Sequence, residues 1–198
     1  MNIKSLIKIS IITLCASILF TSCGAIDLEF IKGEFTPTND CGEKIRASDF
    51  TVYDALDNKS SFSDFKGKPA VVLLYGERYN GVTRDYMMCY DSAFRKYGDK
   101  VNFMIVHLSG LRNESKENAE TLVSGLSFPA YYDIDNSAQY AYSVSAYPRT
   151  IIVDAEGYIY HDQTGSVDSK FLDKHIERVI NGEPYVTEAP KRCGCRFK

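Results

Sequence analysis

Apolar positions alternate with polar ones in two distinct rhythms along this 198-residue chain. Ala70–Tyr75, Val101–Leu108 and Arg149–Asp154 are short runs, almost continuously apolar and rich in β-branched residues. Such runs suit central strands buried on both faces. Between them the period changes. Tyr86, Tyr90, Phe94 and Tyr97 recur at helical spacing with Met87 beside them, predicting a helix over 82–97 that Gly98 ends. Ala119, Leu122 and Val123 mark a second helix over 115–126. Phe171, Leu172, Ile176 and Val179 mark a closing helix over 168–180, stopped by Gly182 and Pro184. Shorter elements are expected as strands at 50–53, 128–134 and 158–161 and a helix at 138–142. Asp57-Asn58-Lys59 and Ala155-Glu156-Gly157 read as turns, the latter joining a hairpin. The order βα, βα, ββα predicts an α/β domain: a central mixed β-sheet flanked by helices, with an N-terminal strand or hairpin extension.

The first residues follow another pattern. Lys4 and Lys8 precede an apolar run, Ile9–Phe20, too short to span a bilayer as a helix. It ends in Leu19-Phe20-Thr21-Ser22-Cys23, which resembles the lipobox of bacterial lipoproteins, where the cysteine carries the lipid. Residues 1–22 are therefore read as a lipoprotein signal peptide, Cys23 as the lipid anchor and 23–42 as a tether. The domain proper runs over 43–182, and 183–198 form a basic tail. This reading expects a bacterial envelope protein held by its lipid on the extracytoplasmic side of a membrane. Phe20 departs from the leucine more usual there, and an ordinary secretory peptide is the competing reading.

Charge narrows the partners. The whole chain carries −3, and loss of the leader's two lysines takes it to −5, which argues against a nucleic-acid binder. The polypeptide or membrane lipid remains as partner class. No cofactor is expected. Of six cysteines, Cys15 lies in the leader and Cys23 is assigned to lipid, leaving Cys41, Cys89, Cys193 and Cys195. Their pairing stays open among three alternatives. Cys41 bridged to a tail cysteine would staple the ends together. Cys193-Gly194-Cys195, with Lys191, Arg192, Arg196 and Lys198 around it, can instead be a reactive dithiol, since cations favour the thiolate. Two cysteines alone do not complete a metal site, and none is expected. Cys89 beside the apolar stripe of its helix reads as a small core residue.

The order of these motifs resembles the thioredoxin superfamily, in particular its membrane-anchored TlpA/ResA-type members. The resemblance covers roughly residues 43–181. It rests on Ser63-Asp64-Phe65-Lys66-Gly67-Lys68-Pro69-Ala70-Val71-Val72-Leu73, on Leu126-Ser127-Phe128-Pro129, and on Ser145-Ala146-Tyr147-Pro148-Arg149-Thr150 followed by Glu156-Gly157. It implies a cis-proline loop at Pro148 beside the start of the first helix. There the family carries a Cys-x-x-Cys pair, whose thiolate draws on the helix N-terminus. The matching residues here are Asn80-Gly81-Val82-Thr83. Asn and Thr cap helices well but form no disulfide. Asn80–Tyr86 also looks like the Cys-Gly-x-Thr-x-x-Tyr element of glutathione peroxidases, again with Asn in place of the reactive residue, and the chain has no Trp.

No residue at this junction is therefore assigned a catalytic role. Thr83 as a nucleophile would need an adjacent base, and neither His107 nor His161 is placed there by the sequence. The expectation is a protein- or peptide-binding module that has lost its redox pair, its groove formed by Tyr79–Thr83 facing Tyr147 and Pro148. The alternative is a TlpA/ResA-type thiol-disulfide oxidoreductase working through relocated cysteines, Cys193 with Cys195, or Cys89.

Overall fold

The computed structural model describes residues 44–76, 80–109 and 115–184. Cys23, Cys41, Tyr79, Cys193 and Cys195 lie outside the described residues, as do the side chains of Asn80, Gly81 and Val82.

In chain order the elements are β1 (Thr51–Tyr53), β2 (Lys59–Ser61), a 3-10 turn (Phe62–Phe65), β3 (Ala70–Tyr75), α1 (Asn80–Tyr97), β4 (Asn102–His107), α2 (Lys116–Val123), β5 (Ala130–Tyr132), α3 (Ser137–Ala141), β6 (Arg149–Val153), β7 (Ile159–Thr164) and α4 (Ser169–Ile180). They build one mixed sheet in the order β2-β1-β5-β4-β3-β6-β7. β3, β4 and β5 run parallel; β6 is antiparallel to β3, and β7 to β6. The mixed sheet with flanking helices and an N-terminal hairpin matches the expected architecture. Bounds differ at several elements, α2 ending at Val123, β5 spanning Ala130–Tyr132 and β7 running on to Thr164, and two further differences have a local cause. Lys59, expected in a turn, begins edge strand β2, because the turn closes earlier: Asp54 accepts from the backbone of Leu56 and Asn58. Helix α1 starts at Asn80, two residues before the periodicity predicts.

The apolar runs are continuous because the central strands are covered on both sides. Side chains alternate across a strand. Val71, Leu73 and Tyr75 join one core with α1, α2 and α4, through Tyr86, Met87, Tyr90, Leu122, Leu172 and Ile176. Ala70, Val72 and Leu74 join the opposite core with Phe50, Phe62, Ala138 and Tyr142. Every residue of β3 is buried, and full burial of one such Val or Leu contributes roughly 1.5–3 kcal/mol. The β7 edge is covered at its start by the lead-in. Ile159 N donates to Ile45 O at 2.8 Å, Ala47 N donates to Gly157 O at 2.9 Å, and Arg46 bridges Tyr158.

Candidate functional site

The site lies where β3 runs into α1. Leu74 pairs with Arg149 across the β3–β6 ladder, so the chain leaving β3 passes the residues that precede β6. The Tyr147–Pro148 peptide bond is cis, as the resemblance implies. Tyr147 is half-buried, and its ring lies against Gly76, the residue that follows β3: a Cβ at Gly76 would stand 2.5 Å from Tyr147 Cζ and 2.6 Å from Cε2. Gly76 is needed here for space, since real Cβ contacts stay beyond that distance. Gly76 at the end of β3 and Tyr147 of the proline loop are thus in contact, while the expected groove partners at 79–82 lie outside the described side chains.

Three attachments hold the loop. Pro148 O accepts from Gly165 N at 2.7 Å. Arg149 makes a forked pair with Asp162, Nε to Oδ1 at 2.7 Å and Nη2 to Oδ2 at 2.6 Å, and its Nη1 donates to Tyr142 O at 2.6 Å. Both side chains of the pair are mostly shielded, 21% and 14% exposed, and the planar fork suits a carboxylate. Asp162 raises the already high arginine pKa further, outweighing partial burial. Third, the Tyr90 and Thr150 hydroxyls meet at 2.5 Å inside the core. Complete burial pushes the Tyr90 hydroxyl well above the ordinary tyrosine range, with the Thr150 bond opposing. The cis-proline loop thus hangs from α1, β7 and the end of α3 together.

On α1 itself, Thr83 is 3% exposed and faces the core with Tyr86 and Tyr90, which removes it from attack on an outside substrate. Arg84, the next residue, donates to the carbonyls of Leu122 and Ser124. Its cation thereby satisfies the C-terminal end of α2, where carbonyls lack helical partners. Cys89 is a free thiol, half-buried against the core, nearly two turns past Thr83. His107 ends β4 and is fully buried, its ring 5.3 Å from Tyr75. His161 is buried within β7, stacked at 4.9 Å on His175 of α4. The ring contacts of His107 are with Tyr75 and Tyr132, and those of His161 are with Phe171 and His175.

Asp133, just past β5, is fully buried and accepts from Ala138 N at 2.9 Å and Gln139 N at 2.8 Å at the start of α3. Burial raises its pKa, with those two amides opposing. It is a structural carboxylate that caps α3. Among the described residues no group of three or more His, Cys, Asp or Glu can hold a metal ion, and no helix is long and apolar enough to cross a membrane.

Sequence reasoning placed the junction and the proline loop. It missed Gly76 as the seat of Tyr147, the Tyr90–Thr150 bond and the Arg149–Asp162 fork. Two signals were available: a threonine inside an otherwise apolar strand, and tyrosine where phenylalanine would fill the helix stripe equally well.

Comparison with known proteins agrees with this geometry. The AhpC/TSA family model matches residues 44–162. Among curated proteins, the thiol-disulfide oxidoreductase ResA of Geobacillus kaustophilus is 24% identical over 165 residues, covering 82% of this chain and 92% of ResA. Among solved structures, StoA from Bacillus subtilis superposes with a TM-score of 0.55 at 15% identity, covering 65% of this chain and 96% of StoA. The pneumococcal exposed lipoprotein thioredoxin Etrx1 of Streptococcus pneumoniae gives a TM-score of 0.56 at 21% identity, covering 66% and 99%. These likenesses establish a thioredoxin-like fold.

Proposed function

The chain belongs to the AhpC/TSA family, and from that premise we propose that it is a lipid-anchored, extracytoplasmic thioredoxin-like protein that holds an extended partner segment at its cis-proline loop without exchanging disulfides there. The observation that carries this reading is the start of α1. The helix opens with Asn80-Gly81-Val82-Thr83, four residues on from Gly76, and no cysteine stands between Cys41 and Cys89. Disulfide exchange begins with a thiolate, and neither Asn nor Thr supplies one. What remains is a proline loop tied down at Pro148 and Arg149 at the end of the sheet, and such a loop can offer its backbone to an extended peptide. Anchoring through Cys23 is supported by the leader ending in Thr21-Ser22-Cys23 and by the lipoprotein name of the pneumococcal relative.

The test is a photo-crosslinking residue at Ser145, exposed in the loop beside Tyr147. A discrete adduct from Ser145, weakened in Tyr147→Ala and missing when the crosslinker sits at Glu183, supports the reading. Equal adducts from both positions, or none from Ser145, count against it. A second reading keeps thiol-disulfide chemistry and moves it to Cys193 with Cys195, or to Cys89. The oxidoreductase name of the ResA relative favours it.

A further inference from the structure

A cleft among the described residues lies far from the proline loop. It has a volume of about 310 Å³ and opens at Ala70, the first residue of β3, whereas Gly76 and Tyr147 stand past the other end of that strand. Three separate stretches wall it: the lead-in at Arg46–Asp49, the 3-10 turn with Lys66 and Lys68 after it, and the β6–β7 turn. Its size lies at the small end of ligand pockets, which run from about 300 to 1,000 Å³.

The floor is apolar, made by Phe62, Phe65 and Val153. Phe62 is held by stacking on Phe50 at 5.2 Å and Phe65 by an edge contact with Tyr131 at 6.2 Å, so both rings are fixed from behind. The rim carries the cations of Arg46, Lys66 and Lys68. Arg46 lies over the Tyr158 ring at 4.5 Å and donates to Glu156 O and the Tyr158 hydroxyl, and Lys68 donates to Asp99 O, so neither cation is in an ion pair with a carboxylate among the described residues. Lys66 is exposed and makes no ion pair among the described residues.

The two rim carboxylates are already engaged. Asp154 pairs with Lys44 at 3.2 Å and accepts from Tyr158 N at 2.8 Å. Asp49 accepts from Phe50 N, Ser63 N and Ser61 Oγ. Asp154 is neutralised by Lys44 and Asp49 keeps its charge, so the lining sets three cations against one unpaired carboxylate, and an anionic ligand finds a net positive cleft above an aromatic floor.

We propose that this cleft is a binding site for a small anionic amphiphile: a short apolar chain or ring lying on Phe62 and Phe65 and ending in a carboxylate held by Lys66, Lys68 and Arg46. The reading is independent of what the proline loop binds.

Octanoate titrated into the purified full-length protein, followed by NMR, tests it. Saturable shifts confined to Phe62, Phe65 and Val153 are expected, with octylammonium producing none at the same concentrations. Lys66→Glu, at an exposed position, keeps the melting temperature and weakens octanoate binding about tenfold or more, the size of one charge-assisted contact. Absence of saturable shifts at the cleft, equal binding of octylammonium, or unchanged octanoate affinity in Lys66→Glu would overturn the proposal.

Discussion

The Tyr147 ring lies over Gly76 so closely that a Cβ at position 76 would stand within 2.9 Å of three of its atoms, Cζ, Cε2 and Oη. The residue before the cis proline and the residue after the central strand therefore form one packed unit at the mouth of the site. Everything proposed for partner binding depends on where this ring sits.

Substituting Gly76→Ala forces the ring to move. The expected cost is about 1–3 kcal/mol, the usual price of overpacking, measured by urea denaturation. Tyr147→Ala placed in the same chain removes the clash, so the double variant should be more stable than the sum of the two single changes implies. Additive effects would mean that the two residues do not share this contact.

Much of this arrangement was legible in the sequence, for stated reasons. β3 and β6 announce themselves because burial on both faces demands unbroken apolar runs, and α1 because Tyr86, Tyr90 and Tyr97 repeat at helical spacing. The start of α1 was misplaced by two residues because Asn80 and Gly81 carry no apolar periodicity to extend the helix. An N-terminal hairpin is expected, but its second strand is not placed at Lys59–Ser61, because Lys59-Ser60-Ser61 is a polar edge strand whose signal is its pairing with β1. Gly76 was invisible for a different reason. Its role is set by a ring more than seventy residues away in the chain, and local pattern holds no record of such contacts.

The bond between Tyr90 and Thr150 ties α1 to the strand that follows the proline loop. Tyr90→Phe leaves a buried Thr150 hydroxyl without this partner and should cost about 1–3 kcal/mol, as should Thr150→Val with respect to Tyr90. The double variant removes both polar groups and should cost less than the two single changes added. A double-mutant cycle by denaturant unfolding measures the difference; a coupling of zero would remove this bond from the account.

Acid should weaken the lead-in through Asp49. Its burial acts to raise the pKa, but the hydrogen bonds from Ser63, Ser61 and Phe50 together outweigh that and hold it below the ordinary 3.8. A depressed acid stabilises the fold when ionised, so its contribution is present above the unfolded value and disappears as pH falls through the folded one. Asp49→Asn is expected to be less stable than the parent at neutral pH, with the gap closing below 3.8. Unfolding curves of both proteins across that range check the sign; a gap that widens in acid contradicts it.

Asp133 works in the other direction. Its raised pKa means that the folded state retains the proton longer than the unfolded chain does, so this group's contribution falls as pH rises from the unfolded value to the folded one. The two aspartates oppose each other, and only variant-against-parent differences separate them.

The central claim is that this chain holds a partner at its proline loop and carries out no disulfide exchange, at the strand-to-helix junction or elsewhere. Thiol-trapping mass spectrometry across a redox titration, run beside an assay for reduction of a protein disulfide, tests it most directly. The account predicts no disulfide reduction by the parent protein and no cysteine whose oxidation state tracks turnover. Reduction of the substrate accompanied by cycling of Cys89, or of Cys193 with Cys195, would contradict it and establish a redox enzyme with a relocated centre.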